Sequence, residues 1–291
     1  MCNDNKQMHT PTVLDTRAGR IEYAEYGEGP AVLCLHGAMG GYDQSLLLAR
    51  TIGDAGYRYI GVSRPGYLGT PLASGKTAEG QADLCAALLD ALGISTVVVM
   101  AVSGGGPCAQ NFALRHGKRC RGMVLVSTCG AKVDTPIPFS FKVAGLLMRL
   151  PGVADAMQKK AQANMEQAAS RSISDPALCK RTLQDPEAGP LFTELLTSTA
   201  DRMAQRMPGT MNDIAVTSST AYPLEKIAVP TLIIHGTADR MVPYEQHARP
   251  LATRISGADL LTIEGGEHVS IFTHRAVVLP RVARFLREHS I

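Results

Sequence analysis

Tryptophan is absent from this chain of 291 residues, and aromatic residues make up only 5% of it. The formal net charge is only +3 and no long basic run occurs, so neither a nucleic acid nor a membrane surface is indicated as a partner. No apolar run approaches the length that crosses a bilayer, and the start of the chain is polar, without the apolar centre of a signal peptide. We therefore expect a cytoplasmic protein that does not insert into a membrane.

Cysteine usage argues against a disulfide framework. The seven cysteines form no CxxC pair, their number is odd, and Cys34 lies within an apolar run typical of a buried strand. These features favour reduced, mostly buried thiols. Because the histidines and cysteines also lack the spacing of metal ligands, we predict neither a metal site nor a bound cofactor.

Strand-like and helix-like segments alternate from residue 31 to residue 130, and the alternation resumes at residue 230. The strands are continuous apolar runs, such as Ala31-Val32-Leu33-Cys34-Leu35, of the kind that is buried on both faces of a parallel sheet. A hairpin-like pair around Ala18-Gly19 precedes them. The pattern predicts an α/β fold, with a mostly parallel central sheet of about eight strands and helices on both faces.

Residues 131–222 interrupt this alternation. They contain no convincing strand, and three prolines, Pro208 among them, separate short segments with helical patterns. We interpret the stretch as a helical lid over the carboxyl edge of the sheet. The predicted division is a core of residues 1–130 and 223–291 with residues 131–222 inserted as the lid.

Polar residues with catalytic potential follow several of the predicted strands. Ser103 follows one apolar run, and Asp239 and His268 follow the last two. Ligands of an open parallel sheet bind beyond the carboxyl ends of its strands, so we expect these residues at one edge. A serine hydroxyl becomes a nucleophile only beside a base, and the base needs a carboxylate to orient it. His36 and His235 precede glycines at strand ends and are interpreted as turn residues.

The glycines after Ser103 also fit a dinucleotide-binding fingerprint between a strand and a helix. Such a site needs an acidic residue after the next strand, where this chain has Ser127-Thr128. Pro107 also removes an N–H group that would face a phosphate. We therefore reject nucleotide binding.

Four motifs in this order resemble those of the α/β-hydrolase superfamily. They are His36-Gly37-Ala38, Ala101-Val102-Ser103-Gly104-Gly105, the run from His235 through Asp239 to Pro243, and Gly265-Gly266-Glu267-His268. The resemblance spans about residues 20–288 and implies the α/β-hydrolase fold with an inserted helical lid. It also implies that Ser103 is the nucleophile, Asp239 the orienting acid and His268 the general base. Asp134 is the alternative acid, because some members of the superfamily carry it after an earlier strand.

The resemblance further implies an oxyanion hole made of two backbone N–H groups. One belongs to Gly104, and the other to Ala38 or alternatively to Met39. The superfamily usually has glycine at the first position of the serine turn, whereas this chain has Ala101. The one extra methyl group is small enough for a crowded turn.

The activity implied by the resemblance is that of a serine hydrolase, which cleaves a carboxylic ester through an acyl-enzyme. The residues of the predicted lid favour a small to medium, largely apolar substrate. We predict substrate contacts from Met39, Phe139 and Phe141. Because the chain has no tryptophan, any aromatic lining of the pocket has to come from residues such as the two phenylalanines. Lactone, thioester and carbon–carbon bond hydrolysis remain open, as does a small-molecule sensor of the same fold with slow or no turnover. A monomer and a homodimer are both compatible with the sequence.

Overall fold

The computed structural model describes residues 10–133 and 165–290, together with residues 152, 153, 155, 156, 159 and 163. An eight-stranded sheet forms its centre. The strands, numbered in chain order, are Thr12–Thr16 (β1), Gly19–Tyr26 (β2), Ala31–Leu35 (β3), Arg58–Ser63 (β4), Val97–Val102 (β5), Cys120–Val126 (β6), Thr231–Gly236 (β7) and Asp259–Ile263 (β8). Their order across the sheet is β1-β2-β4-β3-β5-β6-β7-β8. Pairing is antiparallel from β1 to β2 and from β2 to β4, and parallel everywhere else.

Helices cover both faces of this sheet. Those of the described residues, numbered in chain order, are Tyr42–Ile52 (α1), Ala78–Ala91 (α2), Gly106–Arg115 (α3), Met165–Ser172 (α4), Pro176–Gln184 (α5), Ala188–Ala200 (α6), Met203–Ser219 (α7), Tyr244–Arg254 (α8), Ser270–Thr273 (α9) and Arg275–His289 (α10). Leucines of α2 and α8 pack into one core cluster, and leucines of α1 and α10 pack into the other. The predicted fold class, a mostly parallel sheet of about eight strands between two helical layers, is confirmed.

The two core clusters explain why the strands are continuously apolar. Successive residues of a strand point to opposite faces. In β5, Val97 and Val99 belong to the cluster under α2 and α3, whereas Val98 and Met100 belong to the cluster under α1 and α10. Successive residues of the strand therefore belong to different cores, and neither face of the strand tolerates a polar side chain.

Parallel pairing brings the carboxyl ends of six strands, β3 to β8, to one edge of the sheet. Leu35 of β3 lies opposite Ala101 of β5, and Gly236 of β7 lies opposite Ile263 of β8. The residues that follow these strands in sequence therefore share this edge, although long stretches of chain separate them.

Between β6 and β7 the described residues form four helices, α4 to α7, and no strand. The helical patterns of residues 189–205 and 211–218 predict two separate helices with Pro208 between them. Instead α6 ends at Ala200, the left-handed Arg202 (φ 49°) breaks the chain, and α7 continues through Pro208. Contacts on both sides of the proline hold α7 in place, since Arg206 pairs with Asp43 and Gly209 bonds to a loop of the core. The division into core and lid stays a prediction.

The six cysteines of the described residues are all buried and form no disulfide. Burial raises the pKa of the Cys120 and Cys129 thiols to about 12, so both stay protonated and unreactive at neutral pH. Among the helices that the structure describes, none is long and apolar enough to cross a bilayer.

Gly209 of α7 provides a test of how tightly this helix is packed. A Cβ atom at this position would lie 2.2 Å from Cδ2 of Tyr67, a fully buried ring. We expect Gly209→Ala to lower the free energy of unfolding by about 1–3 kcal/mol, although alanine is the better helix former. Urea denaturation measures the change.

The matched control is Gly117→Ala, because a Cβ atom there would meet nothing within 4 Å. We expect it to change the free energy of unfolding by no more than about 0.5 kcal/mol. Equal destabilisation by the two substitutions would contradict a packing constraint at Gly209.

Candidate active site

Ser103 lies at the apex of a sharp turn between β5 and α3. Its φ of 51° is in the left-handed region, which a residue other than glycine adopts at an energetic cost. Small neighbours make the turn possible: a Cβ atom on Gly105 would lie 2.7 Å from the carbonyl oxygen of Leu35, and one on Gly106 would collide with Thr128. Thr128 also donates its hydroxyl to the Ser103 carbonyl oxygen. Packing from both sides thus holds Ser103 in one strained conformation.

A series of hydrogen bonds joins Ser103, His268 and Asp239. Ser103 Oγ lies 3.1 Å from His268 Nε2, and His268 Nδ1 lies 2.8 Å from Asp239 Oδ2. A carboxylate only accepts hydrogen bonds, so Nδ1 carries the proton and Nε2 is left to accept the hydroxyl of Ser103. The structure therefore brings together the three residues to which the resemblance assigned catalysis.

Asp239 is held by the loop that follows β7. Its side chain is buried, and Oδ1 accepts the N–H groups of Met241 and Val242, both at 2.9 Å. Burial alone would raise the pKa of Asp239, but the neighbouring His235 and His268 and the loop N–H groups hold that pKa well below its usual range. Asp239 is therefore ionised at neutral pH, as the orientation of a histidine requires.

His235 holds the same loop through a hydrogen bond. Its Nε2–H group donates to the carbonyl oxygen of Val242 at 2.7 Å, and Nε2 also lies 3.5 Å from Asp239 Oδ2. The imidazole is fully buried, which fits the interpretation of His235 as a turn residue. Asp134, the alternative acid, lies outside the described residues.

His36 has a similar place in the turn after β3. The Arg64 backbone N–H donates to His36 Nε2 at 3.0 Å, so the imidazole proton is on Nδ1, which donates to the Gly37 carbonyl oxygen at 2.6 Å. Burial and the nearby Arg64 guanidinium hold the pKa of His36 well below the usual range. His36 is thus neutral and shapes the turn.

The two predicted oxyanion donors, Ala38 and Gly104, belong to turns in contact with each other. A Cβ atom on Gly104 would lie only 3.5 Å from the backbone nitrogen of Ala38. The backbone N–H of Met39, the alternative donor, bonds to Thr210 Oγ1 at 3.0 Å. The geometry therefore favours Ala38 over Met39 as the partner of Gly104.

An apolar cavity of about 210 Å³ opens beside Ser103 and His268. Its apolar lining residues are Leu47, Leu48, Val102, Leu195, Leu196, Met241, Val269, Ile271 and Phe272, together with Gly37 and Ala38. The remaining lining residues are polar but uncharged: Gln44, Ser172 and Thr199. None of the described lining residues is a lysine, arginine, aspartate or glutamate, so the cavity suits a neutral ligand.

Unlike the predicted reactive residues, the predicted substrate contacts are not found together at the described site. Met39 does not belong to the described lining of the cavity. Its backbone lies in the left-handed region (φ 58°), and its N–H group donates to Thr210. Phe139 and Phe141 lie outside the described residues. Sequence reasoning missed Leu195 and Leu196 of α6, whose helical pattern gave no signal for which leucines face the cavity.

This arrangement supports nucleophilic chemistry. A neutral imidazole next to a serine hydroxyl can take its proton as the oxygen attacks an electrophile, and a buried carboxylate stabilises the imidazolium that results. Backbone N–H groups at Ala38 and Gly104 can stabilise negative charge that develops nearby. In the part of the chain that the structure describes, no group of three or more His, Cys, Asp or Glu side chains is placed to hold a metal ion.

Comparisons with known proteins agree with this fold. The family described as alpha/beta hydrolase fold matches residues 30–275. "Uncharacterized hydrolase YcgS" of Bacillus subtilis is 27% identical over 261 residues, which cover 86% of this chain and 89% of the relative. The 2-hydroxy-6-oxononadienedioate/2-hydroxy-6-oxononatrienedioate hydrolase of Burkholderia vietnamiensis is 27% identical over 286 residues, which cover 92% of this chain and 91% of that protein.

A solved structure extends the agreement to three dimensions. The alpha/beta hydrolase fold protein from Nakamurella multipartita superposes with a TM-score of 0.80 at 32% sequence identity, covering 96% of this chain and 97% of that one. The family match includes the turns of Ser103, Asp239 and His268, and the sequence and structural matches each cover most of the chain. The chain belongs to the alpha/beta hydrolase fold family.

Proposed function

We propose that this protein is a serine hydrolase that cleaves carboxylic esters of small to medium, uncharged and largely apolar substrates. The observation that carries the proposal is the hydrogen-bonded series of Ser103, His268 and Asp239 beside an apolar cavity. It is the arrangement that acyl transfer requires.

The proposed reaction has two stages. Ser103 Oγ attacks the ester carbonyl carbon while His268 Nε2 takes the hydroxyl proton, and the oxyanion is stabilised by the N–H groups of Ala38 and Gly104. The intermediate collapses, the carbon–oxygen bond to the alcohol breaks, and the imidazolium returns the proton to the leaving alkoxide. Water, deprotonated by His268, then attacks the acyl-enzyme and releases the acid and Ser103.

The cavity supports a small, neutral acyl group. Its volume of about 210 Å³ is below the range of about 300–1,000 Å³ that holds drug-sized ligands. A substrate carboxylate buried among leucines would lose its hydration, and the described lining of the cavity offers it no cationic partner. The Burkholderia relative is named for a dioate, which carries two carboxylates. The uncharged lining of this cavity therefore favours a neutral ester over a substrate of that class.

A matched pair of 4-nitrophenyl esters tests the substrate class. The butyrate and the hemisuccinate have acyl groups of similar length, but the hemisuccinate ends in a carboxylate. We expect kcat/KM to be at least about tenfold lower for the hemisuccinate, because its charge would enter an apolar cavity unpaired. Release of 4-nitrophenolate measures both rates, and a thioester and a lactone of butyrate size extend the comparison to the other candidate bonds.

Ser103→Ala is the control for these assays, and we expect it to lower kcat by several orders of magnitude. Hydrolysis by Ser103→Ala at the parental rate would contradict the nucleophile assignment. A burst equal to the enzyme concentration, with no turnover after it, would support a sensor in place of an esterase. Faster cleavage of the hemisuccinate than of the butyrate would contradict the proposed substrate class.

A second experiment compares the two candidate acids. Asp239→Asn should preserve the shape of the site but lose the acceptor that keeps the proton on His268 Nδ1, so we expect kcat to fall by about 10⁴-fold. Asp134→Asn is the matched control, with an expected kcat within about twofold of the parent. A larger loss in Asp134→Asn than in Asp239→Asn would assign the acid to Asp134 instead.

Asp239 also makes stability depend on pH. Its pKa in the folded protein is lower than in the unfolded chain, where aspartate titrates near about 3.9. The stabilisation is therefore present above about pH 4 and is lost as the pH falls through the folded-state pKa. We expect the difference in unfolding free energy between the parent and Asp239→Asn to shrink from pH 7 to pH 3, as measured by urea denaturation. An equal difference at both pH values would contradict this role of the charge.

A further inference from the structure

A fully buried guanidinium lies behind the turn that follows β3. Arg64 is only 1% exposed, and each of its N–H groups has an acceptor. Nε donates to the His36 carbonyl oxygen at 2.9 Å, and Nη2 donates to the Gly37 carbonyl oxygen at 3.2 Å. The remaining N–H groups bind Gln81 and Asp213. One side chain thus fixes two successive carbonyl groups immediately before Ala38.

Asp213 completes this contact from α7. Its two oxygens accept Arg64 Nη1 at 2.7 Å and Nη2 at 2.5 Å, and Oδ2 also accepts the Tyr67 hydroxyl at 2.6 Å. Burial, together with the neighbouring carboxylate, raises the pKa of Tyr67 well above its usual value, so the phenol keeps its proton. The carboxylate also reaches the serine turn, since a Cβ atom on Gly104 would lie 2.8 Å from Oδ2. The ion pair therefore touches both turns that carry the proposed oxyanion donors.

The residues of α7 that contact the core lie on one face of the helix. Arg206, Gly209, Thr210 and Asp213 are spaced by three, four and seven residues, which places them on the same side of a helix. All four are buried. Arg206 pairs with Asp43 of α1 at 2.6 Å, and Thr210 and Asp213 contact the turn after β3 directly or through Arg64.

We propose that Arg64 and Asp213 are positioning residues that hold the Ala38 N–H group where the oxyanion forms, an inference that rests on the proposed function. Oxyanion donors act only within a narrow range of distance, about 2.7–3.1 Å, so a small displacement of the turn weakens them. Neither residue belongs to the described lining of the cavity, so both act through the turn and not on the substrate. A buried ion pair contributes little net stability, because the cost of desolvating its charges offsets their attraction. We therefore assign this ion pair the role of orienting the turn.

The test uses two variants of the ion pair and one matched control. Arg64→Lys keeps the positive charge but replaces a planar fork with a single ammonium group, which cannot reach both carbonyl groups and the carboxylate. Asp213→Asn removes the charge that orients Arg64. Asp43→Asn is the control, because it weakens another buried-arginine contact of the same helix and removes no hydrogen bond to His36, Gly37 or Ala38. Steady-state kinetics on 4-nitrophenyl butyrate are measured beside inhibition by butylboronic acid, which forms a tetrahedral anion with a serine hydroxyl.

An oxyanion effect has a distinct signature, since it operates in the transition state and not on the bound ester. We expect Arg64→Lys and Asp213→Asn to lower kcat at least about tenfold with KM within about twofold, and to weaken boronic acid binding by a similar factor. Asp43→Asn should keep kcat within about threefold of the parent. Arg64→Lys decides the matter if Asp213→Asn fails to fold.

Three results would overturn the inference: a raised KM with kcat unchanged, an equal loss of kcat in Asp43→Asn, or a loss of kcat without weaker boronic acid binding. Failure of the proposed function has a different signature. It would show in the parent protein, as absence of ester cleavage and as equal boronic acid binding by the parent and by Ser103→Ala.

Discussion

The parallel pairing of β3 with β5 is the constraint on which the rest of the site depends. Leu35 lies opposite Ala101 where both strands end, so the turn after one strand meets the turn after the other. The contact leaves no space for side chains: a Cβ atom on Gly37 would lie 3.0 Å from Ser103 Cβ, and one on Gly105 would lie 2.7 Å from the Leu35 carbonyl oxygen. Glycine is required at both positions because the two backbones approach each other so closely. A shift of one residue in the pairing would separate the serine turn from its neighbour and turn each side chain of the strand to the opposite core.

Two buried carboxylates lie on either side of Ser103, and their charges are compensated differently. Asp213 forms an ion pair with Arg64, so the pair adds little net charge beside the turn in which an oxyanion would develop. Asp239 is surrounded by backbone N–H groups and histidine, and its charge has no permanent cationic partner among the hydrogen-bonding groups described for it. In the proposed reaction, protonation of His268 supplies that partner. In this proposal Asp213 maintains the shape of the turns, whereas Asp239 assists proton transfer by stabilising the His268 imidazolium.

Much of the fold and part of the site could be predicted from local sequence patterns. Ser103 and Asp239 each follow an apolar strand, and the ends of parallel strands have to meet at one edge of the sheet. The pairing of Arg64 with Asp213 has no such local signal, because 149 positions separate them and an aspartate on a helix is usually a surface residue. Pro208 predicts a helix end by local rules, but tertiary contacts of α7 override its missing hydrogen bond. Which leucines of α6 face the cavity depends on packing between distant segments, which no local pattern records.

The polar face of α7 has a consequence for how such proteins diversify. If the segment between β6 and β7 were independent of the sheet, relatives could exchange it as a unit. The exchange would then change the lining of the cavity while the sheet stayed the same. Here the exchange would leave Arg64 as a buried charge without its carboxylate, and the partly exposed Asp43 would lose its arginine partner. The segment and the sheet are therefore not interchangeable parts. Substitutions at positions 206 and 213 have to be matched at positions 43 and 64, so new specificity is more accessible through Leu195 and Leu196 than through replacement of the whole segment.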